Sequence, residues 1–418
     1  MLSVLRNRSY ARLLAAQLVA LTGTGLLTVS LGLLAFGLAG RNAGAVLGTA
    51  LTIKMLAYVC LSPVINALVA RLPKKPVLIG SDLVRAAMAL CLPLISDIWQ
   101  IYVVIFLLQA ASATFTPAFQ SLIPSVLTKE KDYTHALSLS RLAYDAEALV
   151  SPALAGILLT ALSYRQLFLG TAAGFLVSAA LVATTSLPRH DPKAYPESLW
   201  HRTTFGVRIF WKDRHLRSLL VLNLVVAAPT ALVLVNSVVY VQQITGRPET
   251  GLALTLACYG GGSMTVALLA PWLLARFGNA RVIFSGATVI PLTLAGAAGI
   301  PAAAGAGQGW LPLLGLWLVL GAGTSAVLTP SSRLLRDAST AANRPYVFTA
   351  QFSLSHACYL VTYPLAGWMG ATAGLGWTSA ALAILATIGV AGAFLSWPRL
   401  TRAPIRPAPS EERSSEQP

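Results

Sequence analysis

The sequence predicts an all-α membrane protein with twelve transmembrane helices. Mean hydropathy is +0.70 and only 11% of residues are charged, whereas globular domains carry roughly 25% charged residues. Long apolar runs recur about every 30 residues, and a run of about 20 residues can cross the hydrocarbon core as a helix. The predicted spans are approximately 10–37, 43–70, 77–95, 100–124, 136–161, 166–187, 218–242, 250–275, 282–302, 308–330, 345–370 and 373–397.

The distribution of basic residues predicts the topology. Each span reverses the chain, so successive loops lie on alternate sides of the membrane. Most of the 30 Lys and Arg residues fall on the side that holds the N-terminus, whereas Arg41, Arg165 and Arg247 fall on the other. The positive-inside rule then places both termini in the cytoplasm, for a bacterial inner-membrane protein. Because the formal charge of +16 is spread over many short loops, we expect no nucleic-acid binding.

The chain divides into two similar halves. The longest internal polar stretch, 188–217, separates predicted six-helix bundles at 1–187 and 218–398, and the Pro- and Ser-rich residues 399–418 are expected to form a disordered cytoplasmic tail. A repeat joins the bundles at an offset of about 206. It pairs Arg8, Leu13, Leu14, Gln17 and Thr24 with Arg214, Leu219, Leu220, Asn223 and Thr230.

The loop after the second span carries a family motif. Residues 66–75 read Asn-Ala-Leu-Val-Ala-Arg-Leu-Pro-Lys-Lys, which resembles the Gly-x-x-x-Asp-Arg-x-Gly-Arg-Arg signature of the major facilitator superfamily. The basic positions fit, but Ala70 replaces the acid, for which Asp82 is a candidate substitute. The resemblance implies two bundles around a midplane substrate site, with alternating access. It also implies a cytoplasmic gate, which we assign to Arg71, Lys74, Lys75, Asp82, Arg85 and Arg276.

Three further stretches indicate a branch of the family. Residues 7–10, 116–124 and 151–156 are similar to bacterial exporters of drugs, macrolides and siderophores, the last through a Gly-Pro-x-x-Gly antiporter motif in which Ser151 replaces the first Gly. We therefore expect proton-coupled efflux of a small amphipathic or cationic compound. The chain also resembles nickel-resistance permeases, so export of nickel or another divalent metal is the alternative, although residues 399–418 contain no His.

Ionisable residues inside the spans are candidates for proton coupling, because such residues are costly in a membrane and often functional. Asp145 and Glu147 lie in the fifth span and Lys54 lies in the second. A buried carboxyl binds a proton more readily than an exposed one. The alternatives are structural: Asp145 with Arg141 one turn earlier, Glu147 in an interhelix hydrogen bond, and Lys54 in a static ion pair.

Polar and aromatic stripes predict the substrate cavity. The family resemblance assigns helices 1, 4, 7 and 10 to the pathway, while polar contacts between helices and ordinary aromatic packing are the alternatives. A stripe of aromatic residues with one His on the eleventh span is suited to a planar or cationic compound. The cavity candidates are Gln17, Thr24, Thr28, Gln109, Thr116, Gln120, Asn223, Thr230, His356 and Tyr359.

Other functional classes fit the sequence less well. An integral-membrane acyltransferase with a His-x-x-x-x-Asp pair is excluded because Ser140 and Leu220 occupy the position five residues after His135 and His215. A sensor would normally add a soluble domain. Gly260, Gly261 and Gly262 lack the Lys-Ser/Thr of a phosphate-binding loop, so we expect no cofactor. Nor do we expect a metal site, a disulfide framework or enzymatic activity. The expected partners are a small molecule, protons and the lipid bilayer, with the protein a monomer.

Overall fold

The computed structural model describes residues 2–61, 72–127, 130–186, 208–305, 308–337 and 344–397. Residues 188–207 of the predicted central loop, the predicted tail 399–418 and Arg71 of the predicted gate lie outside the described residues. The long helices are α1 (Arg8–Ala39), α2 (Ala43–Leu56), α3 (Lys74–Cys91), α4 (Ile98–Val126), α5 (Glu130–Leu158), α6 (Tyr164–Ala183), α7 (Arg214–Ala231), α8 (Glu249–Phe277), α9 (Asn279–Ala298), α10 (Trp310–Asp337), α11 (Arg344–Pro364) and α12 (Leu375–Ser396).

These helices confirm the all-α class, and each coincides with one predicted apolar segment. Within the described residues, nine stretches are long and apolar enough to cross a membrane, the first of which, Arg8–Val59, covers both α1 and α2. The protein is therefore a multi-pass membrane protein. The count of twelve crossings remains a prediction.

Local sequence signals set the helix ends. The Asn7 side chain accepts hydrogen bonds from the backbone N–H groups of Ser9 and Tyr10, which caps the start of α1. Helix α1 ends at Gly40, whose φ of 52° is readily adopted by glycine. Capping boxes at Asp97 and Ser163 start α4 and α6.

Two prolines precede wider helical turns. Helix α7 continues into a π-helical turn at Leu232–Asn236 shortly after Pro229, and α11 continues into Leu365–Met369 directly after Pro364. Proline has no N–H to donate to the preceding turn, so the backbone bonds beyond it can shift to the wider register. Both helices therefore continue beyond the proline.

The helices pack as two groups. In the first half (α1–α6), α6 packs against α1 and α3, while α4 and α5 pack against α3 and α1. In the second half (α7–α12), α10 packs against α8 and α9, and α12 packs against α7 and α9. This arrangement agrees with the predicted architecture of two helical bundles; six membrane crossings in each bundle and the exact domain limits remain predictions.

The halves meet through α2 with α11 and through α5 with α8. We call the end of the bundle where α1 begins the terminal end, and the end where α1 finishes at Gly40 the far end. Near the far end, a methyl group on Gly48 would lie 2.7 Å from the carbonyl oxygen of Tyr363 and 2.8 Å from Cα of Gly367. The backbones of α2 and α11 therefore touch, and the structure is closed between these helices at the far end.

Candidate substrate site between the halves

Two opposite charges lie in the first half near its boundary with the second. Lys54 is in the last turn of α2, and Glu147 is in the middle of α5. Their side chains are half-buried and interact electrostatically. Among the described residues, no side-chain hydrogen bond joins them. The two groups therefore interact through their charges without a hydrogen bond between them.

Close packing with α1 fixes the position of Glu147. A methyl group on Gly25 of α1 would overlap the Ser151 side chain and would lie 3.0 Å from Oε1 of Glu147. Glu147 and Ser151 are one turn apart on α5, so the same face of this helix presents both groups to α1. The Ser151 hydroxyl is buried and has no hydrogen-bond partner. Glycine at position 25 is therefore needed for α1 to approach Ser151 this closely.

An aromatic cluster extends from α2 to α11. The ring centroid of Tyr58, one turn after Lys54, lies 5.6 Å from that of His356. His356 in turn lies 6.3 Å from Tyr359, and Tyr359 stacks on Tyr363 at 5.0 Å. Because Tyr58 belongs to the first half and the other three to the second, this cluster crosses the boundary between the halves.

A hydroxyl cluster adjoins these rings in the second half. The Tyr259 hydroxyl on α8 lies 3.4 Å from Oγ1 of Thr230 on α7 and 3.4 Å from Oγ1 of Thr324 on α10. Tyr359 lies within electrostatic reach of Tyr259. The second half thus offers most of the ring faces and the hydroxyl cluster, while the first half offers one amine, one carboxylate and the ring of Tyr58.

The structure brings some predicted cavity residues to this place and separates others from it. Thr230, His356 and Tyr359 belong to the clusters above. Gln17 is buried and accepts a hydrogen bond from the Ser140 hydroxyl at 3.1 Å, and Asn223 is buried and exchanges two hydrogen bonds with Gln351. These two positions make the helix–helix bonds that were the alternative prediction.

The structure says less about the remaining predicted cavity residues. Gln109 is buried, whereas the hydroxyls of Thr24 and Thr28 donate to backbone carbonyls of their own helix. The side chains of Thr116, Gln120 and Asp145 lie outside the described residues. The part of Asp145 in coupling therefore stays a prediction.

Two predicted gate residues lie in the interior of the first half. Asp82 and Arg85 form an ion pair, and Asp82 also accepts a hydrogen bond at 2.8 Å from Ser178 on α6. The Arg85 guanidinium lies 4.2 Å from the ring centre of Phe115 and 4.5 Å from that of Phe175. All these partners belong to the first half, so the pair joins α3 to α4 and α6. The pair therefore lies in the bundle interior, where the carboxylate needs a nearby cation, and its predicted part in the gate stays a prediction.

The other described gate candidates lie at the terminal end. Lys75 donates a hydrogen bond at 3.0 Å to the backbone oxygen of Thr185, next to the end of α6. Lys74 begins α3, and Arg276 is exposed at the end of α8. Their position agrees with the predicted basic side of the membrane, and their function as a gate remains a prediction.

Sequence reasoning missed Tyr58, Tyr259 and Gly25. Tyr58 follows Lys54 by one helical turn, and this spacing was a usable signal. Tyr259 directly precedes the three glycines of α8 and belongs to none of the polar or aromatic stripes that were predicted from the sequence. Nothing in the sequence pairs Gly25 with Ser151, because the contact depends on how α1 crosses α5. Metal binding has no visible site: in the part of the chain that the structure describes, no group of three or more His, Cys, Asp or Glu side chains is suitably placed.

Two helical bundles that enclose polar and aromatic groups at their boundary define a membrane transporter of small molecules. The model of the Major Facilitator Superfamily matches residues 13–303, more than half of the chain. The chain belongs to this family, and it is a transporter, not an enzyme.

Relatives and solved structures agree with this family. Macrolide efflux protein A of Streptococcus pyogenes is 27% identical over 149 residues, which is 34% of this chain and 36% of that protein. The match thus spans about a third of the length of this curated relative. The nucleoside transporter NupG superposes with a TM-score of 0.70 at 13% identity, covering 93% of this chain and 98% of the other. A bacterial homologue of the human lysosomal transporter Spinster gives 0.71 at 13% identity, covering 94% and 96%.

Proposed function

We propose that this protein is a proton-coupled exporter that removes a small amphipathic or cationic compound from the cytoplasm by alternating access. In this proposal it lies in the bacterial inner membrane with both termini in the cytoplasm. The observation that carries the proposal is the arrangement at the boundary of the halves. There Lys54 interacts electrostatically with Glu147 and lies one helical turn before Tyr58, whose ring contacts His356 of the second half.

The ring cluster suits a planar or cationic substrate. Tyrosine faces attract cations, with about 0.5–2 kcal/mol for each contact depending on desolvation. Stacked Tyr359 and Tyr363 offer an apolar surface, while the hydroxyls of Tyr259 and Thr230 supply hydrogen bonds for orientation. Such a site, mostly apolar with a few polar groups, is typical of small-molecule pockets.

Glu147 is the group that we assign to proton coupling. With its carboxylate charged, it compensates Lys54; when protonated, it leaves the Lys54 charge uncompensated. A cationic substrate would compete with Lys54 for the same carboxylate. Binding of the proton and of the substrate would therefore be mutually exclusive, which is the requirement for antiport.

Alternating access requires the far-end contacts to separate. The α2–α11 contact at Gly48 and Gly367 is made by backbone atoms, and no side-chain ion pair between α2 and α11 is present among the described residues. Close packing without charges can break and re-form without the large cost of separating buried ions. The efflux activity named for the macrolide relative supports export as the direction, over the third of its length that matches.

The test uses inside-out membrane vesicles with an acid-inside pH gradient. We would follow uptake of ethidium and, in parallel, of radiolabelled nickel, for wild type, Glu147→Gln and Glu249→Gln. Glu249 is a matched control because it is a glutamate in the first turn of α8, away from the site. We expect gradient-dependent ethidium uptake by wild type and Glu249→Gln, and none by Glu147→Gln.

Two results would overturn the proposal. Ethidium uptake that is the same with and without the gradient would exclude proton coupling. Uptake of nickel but not of ethidium would indicate a metal exporter, which is the alternative predicted from the sequence.

A further inference from the structure

A groove opens on the outer surface of the second half, between α7 and α12 at the terminal end. Its cavity has a volume of about 380 Å³. The groove is separate from the site between the halves, because both of its walls belong to the second half. It is lined by Trp211, Arg217, Leu220, Val221, Gly392, Leu395 and Ser396.

Arg217 is the basic residue of this groove, where its half-buried side chain forms part of the lining. Its Nε atom is buried and has no hydrogen-bond partner, so no acceptor of the described residues holds the guanidinium at this atom. In the first half, the corresponding ends of α1 and α6 are joined differently: Arg12 donates to the backbone oxygen of Thr184 at 2.7 Å. Buried donors are nearly always paired, so the Arg217 guanidinium is suited to an acceptor from outside the chain.

Apart from Ser396, the rest of the groove is apolar, and part of it is strongly exposed. Leu395 is 85% exposed and Trp211 is 67% exposed. Tryptophan is enriched at the boundary between lipid tails and headgroups. The neighbouring Phe210 is buried in the core, which anchors the segment that holds Trp211 beside the groove. The groove therefore combines one cation at the membrane boundary with an apolar wall that continues toward the tails.

We propose that this groove binds an anionic phospholipid. The phosphate accepts hydrogen bonds from the Arg217 guanidinium, and one acyl chain lies along Leu220, Val221 and Leu395. Guanidinium groups bind phosphate oxygens strongly, and basic pockets between transmembrane helices bind anionic headgroups. The apolar wall favours a lipid over free phosphate, which has no part that would cover it.

The lipid would join α7 to α12 at the end where the chain enters and leaves the second half. Direct contact there includes the hydrogen bond from Ser218 to Ser396 at 3.0 Å. We therefore expect anionic lipid to stabilise the second half against thermal unfolding. This effect is independent of the proposed transport reaction.

The test compares the purified full-length protein in nanodiscs of phosphatidylcholine alone and of phosphatidylcholine with phosphatidylglycerol. Retained lipid is counted by native mass spectrometry, and thermal stability is recorded for the same samples. Inorganic phosphate with phosphatidylcholine nanodiscs forms the third arm. We expect phosphatidylglycerol to be retained and stabilising, and Arg217→Gln to reduce its retention about fivefold, the contribution of one basic residue near an anionic surface.

The matched control is Lys212→Gln, which removes one charge from an exposed side chain of the same segment. We expect this variant to retain phosphatidylglycerol like wild type. Arg217→Lys keeps the charge but removes Nε, and we expect intermediate retention. Size-exclusion chromatography checks that each variant is folded.

Three outcomes would overturn the proposal. Equal retention of the two lipids by wild type would exclude a preference for anionic headgroups. A stabilisation by inorganic phosphate as large as that by phosphatidylglycerol would indicate a free-anion site. Equal losses in Lys212→Gln and Arg217→Gln would indicate general surface electrostatics.

Discussion

The two halves share a repeat but differ in the chemistry of their interiors. The first half carries Lys54, Asp82, Arg85 and Glu147 on its helices, whereas segments 218–246, 250–275, 282–332 and 345–398 contain no Asp, Glu, Lys or Arg. In place of charges, the second half brings Tyr259, Tyr359 and Tyr363 to the boundary. Two halves that share a repeat can therefore differ in chemistry, with ionisable groups inside one and mainly tyrosines and hydroxyls inside the other.

The division has a physical advantage. A buried ion is costly unless its partner stays near, so the two members of a pair are best held by one rigid body. Lys54 and Glu147 both belong to the first half, as do Asp82 and Arg85. Movement of one half against the other would leave both pairs intact. Separating the tyrosine contacts of the second half carries no comparable cost in free energy, because apolar and hydroxyl contacts re-form easily.

The largest expected effect is that of Glu147→Gln. We expect gradient-driven ethidium uptake to fall to background. The free energy of unfolding should fall by about 1–3 kcal/mol, because half-buried Lys54 loses its compensating charge. Adding Lys54→Met should restore stability without restoring transport. Vesicle uptake and thermal unfolding measure the two effects. Full transport by the double variant would contradict the assignment of coupling to the first half.

Arg85→Met separates structural charge from functional charge in the same half. We expect a loss of about 3 kcal/mol in stability, because the buried Asp82 carboxylate would keep Ser178 but lose its cation. Transport of the folded fraction should keep its KM. Asp82→Asn combined with Arg85→Met should recover most of the stability. A changed KM together with unchanged stability would instead indicate that Asp82 and Arg85 take part directly in transport.

Gly25→Ala tests how α1 positions the carboxylate. The added methyl group would overlap Ser151 and press on Glu147, and we expect a cost of about 1–3 kcal/mol, as for other overpacked cores. Ser151→Gly removes the obstacle, so the double variant Gly25→Ala, Ser151→Gly should regain stability and uptake. Failure of this rescue would show that the Ser151 hydroxyl itself is required.

The smallest effects are expected for substitutions of the tyrosines in the second half. Tyr359→Phe keeps the ring stack on Tyr363, and we expect less than a twofold change in the KM for ethidium. Tyr359→Leu removes the stack and should raise KM about fivefold, since an aromatic pair contributes about 0.5–1.5 kcal/mol. Concentration-dependent uptake distinguishes them. The reverse order would mean that the hydroxyl, not the ring, recognises the substrate.

Sequence patterns predicted the helices well because long apolar runs have few alternatives in a membrane. Lys54 and Glu147 became candidates because they stand out as charges in apolar spans, and their part in coupling stays a prediction. The sequence also assigned Asp82 and Arg85 to the cytoplasmic gate, a role that stays a prediction. Their spacing shows that they can pair, but only packing against Phe115 and Phe175 shows where the pair lies.

Polar stripes were less reliable than charges. Gln17 and Asn223 occupy matching positions in the repeat, yet each is engaged by a neighbouring helix of its own half. A stripe fixes which residues share a face, but not whether that face meets a cavity or another helix. Thr230 shares the face of Asn223 and lies instead beside Tyr259.

By itself, the sequence determined the membrane class, the helices, the two-part organisation and the ionisable residues within the spans. These features follow from local composition and spacing, which the bilayer constrains strongly. Tertiary structure alone decided which groups meet: Glu147 with Gly25, Tyr58 with His356, and Arg217 with an open groove. Such contacts depend on how distant helices cross and on how closely small residues let them approach. The sequence of a single helix determines neither of these.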